Sequence, residues 1–239
     1  MSLKSQFVRL FDYPIKVGTR KNIMESILGT SKTSFCHVVT LNPEIIVYNE
    51  IDINKKRKML DKCFFIADGI SLAWASKILQ KKKIDRFPGI ELAQALLTRE
   101  DKTFYFIGSK TEIIEKAVKK IGGQNEKLSI VGYSDGYLDE QKRSNVLEDI
   151  KNKQPDIVLV GMGHQRQDDL LFEIGQILTK GVGVGIGGSF DVLSGELMRA
   201  PKWIQSIQLE WFYRGLSNPL RMKRWGFIPK FIKLVIKAF

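Results

Sequence analysis

Six short runs of apolar, mostly β-branched or aromatic residues recur along the chain: FCHVVTL (35–41), CFFIAD (63–68), TFYFIG (103–108), LSIVGY (128–133), DIVLVG (156–161) and GVGVGI (181–186). None alternates polar and apolar positions as a sheet with one wet face would, so they read as buried parallel strands. Between them lie SLAWASKILQ, IELAQALL, TEIIEKAVKKI, QKRSNVLEDI and DDLLFEIGQIL, each with an apolar stripe at helical spacing and charged outer positions. Strand followed by helix, repeated, predicts an α/β fold: a doubly wound, Rossmann-like parallel sheet with helices on both faces.

The strand ends meet Gly or Asp again and again, at Asp68-Gly69, Gly108, Gly161, Gly163 and Gly187-Gly188. Ligands of such sheets sit beyond the carboxyl ends of the strands, and glycine lets the backbone approach them closely. The alternation stops near residue 195, which divides the chain into an α/β core over 1–195 and an aromatic, basic, helical C-terminal appendage over 196–239.

Charge sharpens that division. The 239 residues carry a formal +12, and from 201 onward eight basic residues face Glu210 alone, so more than half of the excess lies in the appendage. On a helix, at about 100° per residue, Lys230, Lys233 and Lys237 fall together while Phe231, Ile232, Val235, Ile236 and Phe239 cover the other side. With Trp211, Phe212, Trp225 and Phe227 nearby, this reads as an anchor for an anionic membrane surface; the alternative is a helix packed on the protein's own core with its lysines outward. The first residues lack a signal-peptide core, and no stretch reaches the ~20 apolar residues of a membrane span. The expectation is a cytoplasmic protein held peripherally at the inner face of the membrane. Cys36 and Cys63 sit in apolar runs and read as buried thiols.

Candidate chemistry follows the strand ends. Thr40 and Asn42 offer neutral hydrogen-bonding groups to a sugar or phosphate, or Asn42 before Pro43 caps a helix. Asp68 ends an apolar strand, where a partly desolvated carboxylate suits general-base work, or it caps the next helix. Arg86 either grips a pyrophosphate or joins a surface ion pair. In GMGHQRQDD, Gln167 and Asp168 begin a helix whose free N–H groups favour an anion. GVGVGIGG contains a GxGxxG spacing, but its glycines lie within the strand, so Gly187 and Gly188 read as clearance for a nucleotide and Asp191 as a ribose contact or a cap. Arg214, Arg221 and Arg224 could neutralise a diphosphate or meet lipid headgroups. No Cys/His/carboxylate set has metal-ligand spacing and no Asp-x-Asp pair is present, so neither metal nor other cofactor is expected.

Taken in order, TLNPE, ADGISLAW, RFPGIEL, GMGHQRQDD and GGSFDVLSGELMRAPKWIQSIQLEWFYRGLSNPLRMKR resemble the motif set of the WecG/TagA/CpsF glycosyltransferase family over residues 7–230. That resemblance implies an inverting, metal-independent transfer from a UDP-sugar donor to a polyprenyl-diphosphate-linked acceptor in cell-surface polysaccharide synthesis. It also implies a membrane-docking appendage that completes the active site. By motif position it makes Asp68 the base, lines the site with Thr40, Asn42 and Gln167, and gives anionic groups to Arg86, Arg214, Arg221 and Arg224. The chain departs from the family pattern at Ser71, Pro88, Gln165, Asp168 and Gln208. Homo-oligomerisation is an open option. The competing class is a non-catalytic basic module for nucleic acid or acidic lipid, built on Lys55–Lys58, Lys81–Lys83 and the appendage; no RNA-binding signature accompanies those lysines, and nucleic acid is not an expected partner.

Overall fold

The computed structural model describes residues 6–206, 212–213 and 223–239, with backbone alone at 205, 206, 223 and 224. The chain divides into two compact units that are interleaved in sequence. The first takes the described parts of Met1–Thr19, Leu41–Pro88 and Arg199–Phe239; the second takes Arg20–Thr40 and Gly89–Met198.

In the first unit, β1 (Phe7–Leu10) and β2 (Tyr13–Lys16) form an antiparallel hairpin, and β2 runs parallel to β4 (Cys63–Ala67). The hairpin turn is Phe11-Asp12, with both residues at positive φ (49° and 72°), a conformation that two-residue hairpins need and non-glycine residues resist. Tertiary contacts hold it: Asp12 accepts a bond from Lys56 Nζ at 2.9 Å, and the Phe11 ring meets Phe231 edge-on at 5.7 Å. Helices α2 (Pro43–Asn49), α3 (Ile53–Lys62) and α4 (Ile70–Gln80) complete this unit with the C-terminal α11 (Phe227–Ala238), which packs on α2 and α4. Buried Asn49 ties α2 inward by donating to the Tyr13 hydroxyl at 3.0 Å.

The second unit is the parallel doubly wound part. Its strands lie in the order β3 (Phe35–Leu41), β8 (Gly181–Gly185), β7 (Ile157–Gly161), β5 (Thr103–Gly108), β6 (Ser129–Ser134), all parallel. Tyr105, Ile107, Val158 and Val160 project to one face, beneath α7 (Glu140–Lys153) and α8 (His164–Ile177). Phe106 projects to the other, 5.7 Å from Phe190 of α9 (Ser189–Leu193), which packs against α6 (Thr111–Gln124). Helices α1 (Arg20–Thr30) and α5 (Gly89–Leu96) contact β8, and α10 spans Lys202–Ser206.

The α/β class and the six runs expected as strands are therefore present, their ends displaced by no more than a residue. One expectation needs correction. β6 is not buried on both sides: Ser129 and Tyr133 are exposed because the strand lies at an edge of its sheet.

At the carboxyl ends of β5, β7 and β8 the backbones approach so closely that side chains are excluded. A Cβ on Gly108 would lie 2.5 Å from the Gly161 carbonyl oxygen, and one on Gly161 would lie 2.6 Å from both the Gly187 carbonyl oxygen and the buried Phe190 ring. Gly161→Ala is expected to lower unfolding free energy by about 1–3 kcal/mol through this overpacking. Gly122→Ala, on α6 where an added Cβ meets nothing, is expected to raise it by about 0.5 kcal/mol. Urea denaturation of both variants checks the pair.

Candidate active site

In the first unit the relevant residues gather after β4. The Asp68 N–H donates to the Leu41 carbonyl (2.8 Å), tying the residue after β4 to the last residue of β3, next to Asn42 in the chain. Asp68 is half-buried. Gly69 follows at φ 93°, a conformation that Ala would resist, and is the N-cap of α4, so that helix starts beside Asp68. The Phe87 N–H donates to the Ala67 carbonyl (2.8 Å), which lays the RFPG segment against the same strand end. Arg86, next to Phe87, is half-buried and makes no ion pair among the described residues. For Asn42 the capping alternative is realised: its Oδ1 accepts from Ile45 N–H at 3.1 Å and starts α2.

In the second unit a second set forms at the ends of β3, β7 and β8. The buried Thr40 hydroxyl donates to the Gly185 carbonyl (3.1 Å). The equally buried Gln167 accepts from the Gly187 N–H through Oε1 (3.0 Å) and fixes the turn after β8. Thr40 and Gln167 thus hold adjacent stretches of one backbone, and half-buried Gly187, at φ 53°, has open space where a Cβ would stand. Gly188 has an ordinary φ of −85°. Asp191 accepts from the Ser109 hydroxyl at 2.8 Å, and Ser109 itself holds a positive φ of 59° after β5. Gly163, at φ 83°, begins α8 with no side-chain cap, so the turn after β7 repeats the geometry found at Gly69.

The glycines of β8 answer to the helix above them. A Cβ on Gly183 would lie 2.5 Å from the Phe35 ring and 2.6 Å from Leu171, and one on Gly185 would lie 2.4 Å from Gln167 Nε2. The GxGxxG spacing of these glycines therefore belongs to packing.

One constellation lay outside the sequence reading. Asp168, fully buried, stands between His164, whose Nδ1 is 2.9 Å from Oδ2, and His37, whose Nε2 is 3.5 Å from Oδ1. Burial opposes ionisation of Asp168, but the hydrogen bonds and charge of His164 and His37 outweigh it and hold the carboxyl below its ordinary range. His164 and Asp168 stand four apart at a helix start, a visible signal; the approach of His37 from β3 depends on tertiary packing. Arg214 and Arg221 lie outside the described residues, as does the Arg224 side chain. Among the described residues no group of three or more His, Cys, Asp or Glu could hold a metal, and no helix is long and apolar enough to cross a membrane.

Residues 8–239 match the family model described as the glycosyl transferase WecG/TagA/CpsF family. The chain belongs to that family. It is accordingly a glycosyltransferase. Its relatives include an N-acetylglucosaminyldiphosphoundecaprenol N-acetyl-beta-D-mannosaminyltransferase of Bacillus subtilis (strain 168), 34% identical over 203 residues, which cover 84% of this chain and 78% of the relative. Proteins of the same name from Bacillus spizizenii (strain ATCC 23059 / NRRL B-14472 / W23), 34% identical over 88% of this chain and 81% of theirs, and Staphylococcus aureus (strain MW2), 29% identical over 95% and 90%, also match.

Asp168 contributes to stability as an anion. Its folded pKa lies below the unfolded value, so the contribution is fully present above about pH 4 and is lost as pH falls through the depressed value. Asp168→Asn is expected to cost about 3 kcal/mol at pH 7, with the gap from the parent protein narrowing below about pH 4, as chemical denaturation across pH would show.

Proposed function

We propose that this glycosyltransferase moves N-acetylmannosamine from a UDP-sugar onto N-acetylglucosaminyl-diphosphoundecaprenol, with inversion, in the synthesis of a cell-surface polysaccharide. The acceptor and the transferred sugar are those in the names of the three relatives. The β configuration in those names is what one displacement on an α-linked nucleotide sugar produces.

The observation that carries the mechanism is the placement of Asp68 and the Arg86 segment at the end of β4: a half-buried carboxylate at a glycine turn, with the segment of a half-buried arginine bonded to that strand end through the Phe87 N–H. Asp68 accepts the proton of the acceptor hydroxyl as the oxygen attacks the anomeric carbon. The bond from that carbon to the UDP oxygen breaks on the opposite face, and the leaving diphosphate takes the electron pair. Arg86, and the tail residues Arg214, Arg221 and Arg224, supply the charge that stabilises the anionic groups. The turn held by Thr40 and Gln167, with Gly187, Gly188 and Asp191, receives the nucleotide. Residues 196–239 form the appendage that docks on the inner face of the membrane and completes the site.

The Asp68→Asn variant is expected to lose about 10²-fold or more of acceptor-dependent UDP release from UDP-N-acetylmannosamine, with an unchanged denaturation midpoint. Release undiminished in the variant would remove Asp68 from the mechanism, and an α-linked product by NMR would remove the single displacement.

A further inference from the structure

The side of α4 turned away from its buried residues is not the polar set a solvated helix face would carry. Leu72, Ala75 and Ser76 form the buried side. At about 100° per residue, Trp74, Lys77 and Ile78 fall in an arc of about 100° on the other side, together with half-buried Ile70, and Lys81 follows at the C-cap. Trp74, Lys77, Ile78 and Lys81 are exposed, Trp74 by 62% and Ile78 by 37%. Scattered exposed apolar residues are ordinary; what distinguishes this face is an indole and a branched aliphatic one helical turn apart, with lysines between and after them. From Gly69 to Ile84 the chain carries four lysines and no acidic residue, and among the described residues Lys83 forms an ion pair with Asp85 while Lys77, Lys81 and Lys82 form none.

We propose that this face of α4 is a contact with an anionic lipid bilayer, separate from the C-terminal helix. Indole and isoleucine suit the headgroup boundary, and Lys77, Lys81 and Lys82 suit its negative charge. A second copy of the chain fits less well, because a two-fold contact through this face would bring its lysines together with those of the other copy, with no carboxylate between them. The inference rests on the reading that the acceptor is lipid-linked, and it adds a geometric consequence. Asp68 lies two residues before α4, a helix of 11 residues, so contact along α4 would fix the base within about 20 Å of the lipid surface.

The test is sedimentation of the full chain with phosphatidylglycerol-containing vesicles, set against phosphatidylcholine alone. Trp74→Ser/Ile78→Ser is expected to weaken binding about tenfold or more, and Lys77→Gln/Lys81→Gln is expected to weaken it chiefly at low salt. Both should keep the parent's denaturation midpoint and its turnover of a short-chain, water-soluble acceptor, while the KM for the undecaprenyl acceptor rises. If the α4 variants bind as the parent does while Ile232→Ser/Ile236→Ser on α11 does not, the α4 contact is overturned and peripheral attachment stands. If the parent itself fails to bind anionic vesicles, both fall. If the α4 variants dissociate an oligomer and leave vesicle binding intact, the face belongs to a second copy and the proposal is wrong.

Discussion

The carboxyl ends of β5, β7 and β8 leave no room for side chains, and much of the second unit is arranged around that limit. Gly108, Gly161 and the turn at Gly187 stand backbone against backbone, with the Phe190 ring filling the space under Gly161. Because β8 carries glycine at 183 and 185, α8 can settle close enough for Leu171 and Gln167 to occupy the volume that side chains on β8 would have taken. Gln167 then reaches the Gly187 N–H and sets the turn after β8. A packing requirement is thereby converted into a fixed loop at the end of the sheet where ligands of such folds bind.

A second constraint is electrostatic. Asp168 lies one residue beyond Gln167 and is removed from water entirely, a situation that an isolated carboxylate would meet by taking up a proton. His164 and His37 make the charged form the favoured one, and they come from the start of α8 and from β3. The same carboxylate therefore fastens the first turn of α8 to a neighbouring strand. That fixes the helix end from which Gln167 acts.

What could be read from the sequence follows from how local each cause is. Strands such as TFYFIG and DIVLVG declare themselves because they are apolar on both faces over a strand's length. The hairpin β1–β2 does not, since its turn residues, Phe11 and Asp12, are neither glycine nor asparagine; their positive φ values are held by Phe231 and Lys56, residues far away in the chain. Helix α3, INKKRKMLDK, looks like a solvated lysine run, yet Lys56 within it is buried among Asp12 and Glu50. The glycine turns after β4 and β7 were legible as turns at strand ends, because Asp-Gly and Gly-x-Gly after an apolar run supply the positive φ found at Gly69 and Gly163. The service of Thr40 and Asn42 to nearby backbone, and the company Asp168 keeps, required the folded chain.

The C-terminal helix shows why an amphipathic pattern does not by itself define a binding face. Phe231 and Val235, which on a helical wheel belong with Ile232, Ile236 and Phe239, are buried against the first unit, whereas the other three stand 48%, 70% and 90% exposed. The helix therefore has three sides: one committed to the fold, one apolar and open, and one bearing Lys230, Lys233 and Lys237. The committed side also supports the strained turn at Phe11, so cutting the helix away would remove a structural contact together with any surface function. Only substitutions on the open side separate the two, because Ile232 and Ile236 contribute little to the folded unit, and their loss would be felt only by a partner that comes from outside it.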